Sequence, residues 1–308
     1  MTKISEQPID IELPKSLKAT RVGPIAHLRL ARVEKRNALD DVTVLGLETF
    51  FTCMPRDIRA VVLTGEGEHF SAGLDLSEVA GQRDPLDAAL HSRMWHRAFE
   101  AIEFGRAPVI VALHGAVVGG GFELAAAAHI RVAERSTYYG LPEGQRGIFL
   151  GGGGSVRIAR LIGVPRVMDM MLTGRTLSAE EGKTAGATQY LVEDGKGLET
   201  AMALAAKAAS NTATTNFAVL HALPRIADSD PASRVADGGD GGNERRGQGA
   251  AQGLPREARR QGHAPELRRG WNRRRDSRVR FERFQRLAAP FPSRRVAQRP
   301  PRKPRIRR

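Results

Sequence analysis

Glu123 follows a run of three glycines in "HGAVVGGGFEL" (114–124), and Glu143 lies twenty residues on, in "YGLPEGQRG". Two carboxylates beside one activated carbonyl suit the addition or removal of water. One holds and deprotonates the water, and the other delivers a proton. Taken singly, each acid could be a solvated surface group, and Glu123 could merely complement the start of a helix. The glycines bear on that choice. Strand-like "VIVALHG" ends at Gly115 and a helix begins near Gly120 or Gly121. A helix start presents unpaired N–H groups, and glycine lets a ligand approach the backbone with no Cβ in the way. Close strand–helix packing is the plainer reading of the same glycines. A second stretch, "GEGEHFSAGLDL" (65–76), also follows a buried strand and places Ser71-Ala72-Gly73 where a backbone N–H can face a ligand. Donors from two such junctions converging on one oxygen make an oxyanion hole, in which one donor can be worth about 3 kcal/mol in the transition state.

The elements that must position these groups alternate, strand-like then helix-like, as in an α/β fold. "PIAHLRLA" (24–31), "IRAVVLTG" (58–65) and "APVIVALHG" (107–115) read as strands, with shorter ones at "IRVAE" and "STYYG". Helices are expected at about 40–53 and 86–104, from Gly120 or Gly121 onward, and around 153–163, 165–172, 178–186 and 197–210. The repeated strand–turn–helix unit implies parallel strands with functional loops at their carboxyl ends.

"HFSAGLDL", "HGAVVGGGFELA" and "LPEGQRGIFLGGGGSVRIARLIG", in this order and with these gaps, resemble the crotonase family, the enoyl-CoA hydratases and isomerases. "EKRNALD" (34–40) and "LTGRTLSAEE" (172–181) are similar to that family's stretches, and the resemblance runs from about residue 20 to 230. It implies an α/β crotonase-type ββα spiral core with C-terminal helices, assembled as a trimer or a dimer of trimers. By position it assigns the oxyanion N–H groups to Ala72 and Gly120, the acid–base pair to Glu123 and Glu143, and water positioning to Gly151. It places Lys35, Arg36 and Ala38 along coenzyme A, and Gly73, Leu74, Asp75 and Leu76 around the bound thioester and its coenzyme A arm. No metal or separate cofactor is implied; coenzyme A arrives with the substrate. Gly144 stands where such hydratases usually carry a branched aliphatic, and Leu150 where proline is common. Isomerases of the family often keep one of the two acids, so the pair points to hydration of a 2-enoyl-CoA. Isomerisation or hydration coupled to C–C cleavage is the runner-up.

The net charge of +14 over 308 residues is unevenly placed. Residues 234–308 carry 22 Arg and one Lys against seven acids, or +16, which leaves the rest at −2. One reading of this tail is a basic, disordered nucleic-acid-binding arm. The other is a frameshift. Codons that encode Arg234 onward can be chosen so that reading one base along gives GLLMEAMAAMSEEAKARLKAFLEKR, a strongly helical amphipathic sequence. The layout expected on this second reading is an extension at 1–19, a core at 20–200, the start of the C-terminal helices at 201–233 and a frameshifted, disordered tail at 234–308. Such a chain would lack the family's closing helices and so be poorly stable or inactive.

Other chemistries find no support. "GEGEHF" is not a dinucleotide-binding glycine loop, "GGGGSV" lacks the Lys-Ser/Thr of a phosphate loop, and no GxSxG is present. The single cysteine, Cys53, excludes an internal disulfide, and no Cys/His cluster has zinc spacing. His69, His114 and His129 stand alone at strand or loop ends and read as structural. Met94, Trp95 and Phe99 form a helical stripe that reads as core, although the matching family helix borders the acyl pocket. No stretch approaches the roughly 18–20 apolar residues of a membrane span, so a cytoplasmic location is expected.

Overall fold

The computed structural model describes residues 6–79 and 84–224. The segment 234–308, with both readings of it, lies outside the described residues. In chain order the strands and helices are β1 (Gln7–Pro8), β2 (Leu17–Val22), β3 (Ile25–Leu30), α1 (Asp41–Cys53), β4 (Ala60–Gly65), α2 (Pro85–Glu103), β5 (Val109–Leu113), β6 (Ala116–Val118), α3 (Gly120–Ala127), β7 (Ile130–Glu134), β8 (Tyr138–Gly140), α4 (Gly154–Ile162), α5 (Val164–Thr173), β9 (Thr176–Ser178), α6 (Ala179–Ala185), β10 (Tyr190–Val192), α7 (Gly197–Ser210) and α8 (Ala213–His221). Every strand and helix expected from the sequence has its counterpart here. The elements not placed individually from the sequence are β1, β2, the three-residue strands β6, β9 and β10, and α8, the last within the C-terminal helical region expected from 201.

The larger sheet runs β1-β2-β3-β4-β5-β7-β10, antiparallel through β3 and parallel from β3 to β10. Each turn of the chain adds a strand to it and then a short extended piece beside it. Those pieces join in steps: Leu39 bridges Leu74, Ser71 bridges Val117, and β6 pairs β8, which pairs β9. This stepped pairing is the ββα spiral that the crotonase resemblance implies.

The parallel strands are buried on both faces, which explains their unbroken β-branched runs. Val61, Leu63, Val109, Val111 and Leu113 enter the main core with Phe50, Phe70, Phe99 and Phe122. Their neighbours Ala60, Val62, Ile110 and Ala112 pack instead with Ala201 and Ala205 of α7. Those two alanines lie one turn apart, and their small side chains let the helix sit close to the sheet.

Helix starts are set locally. Asp40 accepts from the Thr43 N–H at 2.8 Å to begin α1, and Asp84 caps α2 just ahead of Pro85, a residue suited to a first helical position.

Candidate active site

The end of β6 delivers the glycine triplet. Gly119 has φ +53°, and a Cβ there would lie 2.6 Å from Glu143 Oε1, so this position admits only glycine. Its carbonyl accepts from the N–H groups of Phe122 and Glu123. Gly120 is the first residue of α3, too early for an intrahelical acceptor, and its N–H has no partner among the described residues.

The facing arm is the loop 71–76. The expected donor there, Ala72, is not available: its N–H is committed to the Arg36 carbonyl at 2.9 Å. Gly73 N–H points back to Ser71 Oγ at 3.2 Å. The N–H without an acceptor among the described residues is that of Leu74. It lies 3.4 Å from where a Cβ on Gly120 would sit, while a Cβ on Gly73 would lie 3.2 Å from Gly120 N. The two free N–H groups therefore face one small space. The Ala72 assignment shifts by two residues because the turn at Gly73 (φ +90°) reverses which amide faces the cleft. Sequence spacing located the arm but could not orient its amides.

Both acids are buried, Glu123 to 4% and Glu143 to 6% relative exposure. The second glycine run holds the first of them. Glu123 Oε1 accepts from Gly152 N–H at 2.9 Å and from Gly154 N–H at 2.8 Å. Burial pushes its carboxyl above the usual range, and the two N–H groups partly offset that. Arg157 braces the run, donating to the Gly152 carbonyl at 2.9 Å and to Glu103 at 2.5 Å.

Glu143 leads into a single 3-10 turn over Gly144–Arg146. Among the described residues its Oε2 has no hydrogen-bond partner, and burial, with the charge of Glu123 adding to it, pushes its carboxyl up to about 7. Gly144, the departure noted in the sequence, has a packing cause: any Cβ there would run into the Met171 carbonyl.

These groups open on one cavity of about 350 Å³. It is lined by Leu74, Gly120, Glu123, Glu143 and the run 148–152. The remaining wall is a face of α2, from Ala88, His91, Ser92 and Trp95. Trp95 borders the cavity as well as the core, its ring lying 2.8 Å from where a Gly120 Cβ would be. His91 and Ser92 were not singled out in the sequence, yet the 88/91/92/95 spacing is that of one helix face. The Gly151 N–H has no acceptor among the described residues, and its carbonyl accepts from Ser92 Oγ at 2.7 Å.

The residues expected along coenzyme A lie on two loops tied together by Asn37. Its side chain donates to the carbonyls of Glu66 and His69, both at 2.8 Å. Lys35 and Arg36 are exposed cations on the first loop, with Ala38 half-buried behind them, and Leu76 is exposed on the second. Asp75 turns inward. Ser77 first, then Arg32 at 2.7 Å, hold its carboxyl below the usual range, so it shapes the loop and offers no free charge. His69, His114 and His129 each bond to backbone groups. Among the described residues no group of three or more potential ligands could hold a metal.

A sequence model described as "Enoyl-CoA hydratase/isomerase" matches residues 20–236. The chain belongs to that family. Its members are enzymes, and the spiral fold and the twin glutamates agree with crotonase membership. A crystal structure of a candidate enoyl-CoA hydratase from Rhodopseudomonas palustris is similar at 54% identity and TM-score 0.70, over 72% of this chain and 86% of that one. A candidate enoyl-CoA hydratase from Thermobifida fusca, solved in complex with CoA, is 28% identical with TM-score 0.66, over 71% and 88%. A candidate enoyl-CoA hydratase of Bacillus subtilis is 34% identical over 58% of this chain and 71% of that protein. The chain spans only 21% of the length of fatty acid oxidation complex subunit alpha from Shewanella amazonensis, at 41% identity.

Proposed function

We propose that the chain adds water reversibly across the double bond of a 2-enoyl-CoA thioester. The observation that carries this reading is one cavity holding two buried glutamates beside two unbonded, converging N–H groups. Leu74 and Gly120 N–H bind the thioester oxygen and stabilise the negative charge that develops there. Gly151 N–H and Glu123 hold the water. Glu123 takes a proton from it as its oxygen bonds to C3, the π electrons move toward the thioester oxygen, and Glu143 gives its proton to C2. A carboxyl near pKa 7 in Glu143 suits that donation at neutral pH. An isomerase needs only one shuttling acid, so the second buried carboxylate favours hydration over the family's alternatives. A candidate hydratase of this fold was solved with CoA, and the exposed Lys35 and Arg36 fit the anionic arm of the same ligand. No redox or metal cofactor has a role in these steps.

We further propose a trimeric or hexameric assembly. Val164, Met168 and Leu172 form an exposed apolar stripe at helical spacing along α5. No described helix is long and apolar enough to cross a membrane, and a coenzyme A thioester substrate fits a cytoplasmic setting.

The test is product identity. Crotonyl-CoA incubated with the protein should lose its ultraviolet enoyl absorbance and yield 3-hydroxybutyryl-CoA. A 3-enoyl isomer or a cleaved thioester as product overturns the hydratase reading. The same assay on a version whose residues after 233 follow the shifted frame should give higher turnover, and equal turnover refutes the frameshift. Salt-dependent DNA binding lost on deleting 234–308, with no turnover in either version, would favour the basic-arm alternative.

A further inference from the structure

The α2 wall carries a polar group that water addition does not use. His91 Nε2 lies 2.7 Å from Asp41 Oδ1, and Trp95 Nε1 donates to the same oxygen at 3.4 Å. A carboxylate oxygen accepts, so Nε2 carries the hydrogen. The ring is thereby fixed in orientation, and its other nitrogen, Nδ1, has no partner among the described residues. In the neutral ring Nδ1 is an acceptor, and His91 lines the cavity. The ring is 5.9 Å from that of Trp95, which in turn packs on Gly120 at the oxyanion end. His91 lies one helical turn from Trp95, about 6 Å along α2. It therefore stands about one turn away from the oxyanion end, and we take that part of the wall to meet the far end of an acyl group. Ser92, the other polar side chain on this face, is already committed to the Gly151 carbonyl, which leaves His91 as the polar group on α2 open to a substrate.

Resting on the enoyl-CoA reading above, we propose that His91 is a specificity residue whose Nδ1 accepts a hydrogen bond from a hydroxyl on the distal part of the acyl group. The preferred substrate class is then a hydroxylated 2-enoyl-CoA. The rings of Trp95, His91 and Phe149, which all line the cavity, favour a cyclic or aromatic group as the carrier of that hydroxyl.

Equilibrium binding of unreactive saturated thioesters separates this idea from the reaction. The probes are phenylpropanoyl-CoA, its para-hydroxy form and its para-methoxy form, titrated calorimetrically into the full chain and, in parallel, the frame-restored version. The expected result is that the hydroxy form binds several-fold to about tenfold tighter than the other two, the range of one net hydrogen bond. In His91→Phe that ratio should fall to about one, and His91→Gln, which retains an acceptor, should restore part of it. Ratios within one variant are insensitive to a general loss of fold. Equal binding of the three probes by the parent protein, or a hydroxyl preference that survives in His91→Phe, overturns the proposal. A His91-dependent preference in a protein that turns an enoyl-CoA into a product other than the 3-hydroxyacyl-CoA would sustain this inference while sinking the hydratase reading.

Discussion

The two sides of the cavity are built on opposite principles. The side proposed to hold the oxyanion is backbone: Leu74 and Gly120 N–H groups face the cavity without an acceptor among the described residues, and Gly152 and Gly154 N–H groups hold Glu123. Its glycines are in contact with other elements, so added side chains meet Trp95 at Gly120, Ser71 at Gly121 and Glu123 at Gly154. The α2 side is side chain: Ala88, His91, Ser92 and Trp95 project from an ordinary helix. One side fixes where the reacting atoms go and tolerates almost no change. On the other, Ala88 and His91 can vary one at a time without touching the reaction centre, whereas Ser92 and Trp95 also brace Gly151 and Gly120. On the proposed function, chemistry is thus written in the glycine loops and acyl preference in one face of a helix.

The comparison breaks most sharply at the donor amide. An ester in place of the amide at Leu74 removes one N–H and leaves the side chain intact. It should lower kcat for hydration by about 100- to 1,000-fold, the cost of one oxyanion donor. The same change at Ala72 removes the bond to Arg36 and weakens the Ser71 carbonyl that accepts from Val118, and it should cost about 1–2 kcal/mol of stability, read by denaturant unfolding, with little effect on kcat. Equal kinetic losses at both positions would return the donor role to Ala72. Next is Gly119→Ala, which sets a Cβ at positive φ against Glu143. We expect at least a tenfold loss of kcat together with roughly 1–3 kcal/mol of destabilisation; retention of both would mean that the loop is not pinned. The smallest effect is expected on the other wall. Ala88→Val should raise KM several-fold for bulky acyl groups more than for crotonyl-CoA, so a uniform rise across acyl sizes would remove α2 from the acyl pocket.

The same division explains what could be read from the sequence. Glycine runs, buried strands and the two glutamates carry strong local signals, because only glycine fits the close approaches at Gly73, Gly119 and Gly120. Orientation carries none. Residue types cannot show which amide of Ala72, Gly73 or Leu74 faces the cleft, since that follows from φ at Gly73 and the Arg36 carbonyl. The helix of α2 was expected, but the Asp41–His91 contact spans fifty positions and depends on how α1 packs on α2. Strands β6, β9 and β10, of three residues each, are defined by the neighbours they pair with and not by their own composition. Ser92 reads as a surface residue until Gly151 is placed beside it.

The central claim is that Glu123 and Glu143 work as a pair sharing one proton, and the pH dependence of kcat/KM for 2-enoyl-CoA hydration tests it most directly. The active pair has Glu123 ionised and Glu143 protonated. With the Glu143 carboxyl near 7, raising the pH through that value removes the last proton, so kcat/KM should fall on the alkaline side. Water addition releases no net proton, so the reverse reaction should show the same limb. Glu123→Gln and Glu143→Gln should each lose about 100- to 10,000-fold in rate, and the limb near pH 7 should vanish in Glu143→Gln. Unchanged rates in both variants, or an unaltered limb without Glu143, would contradict the account.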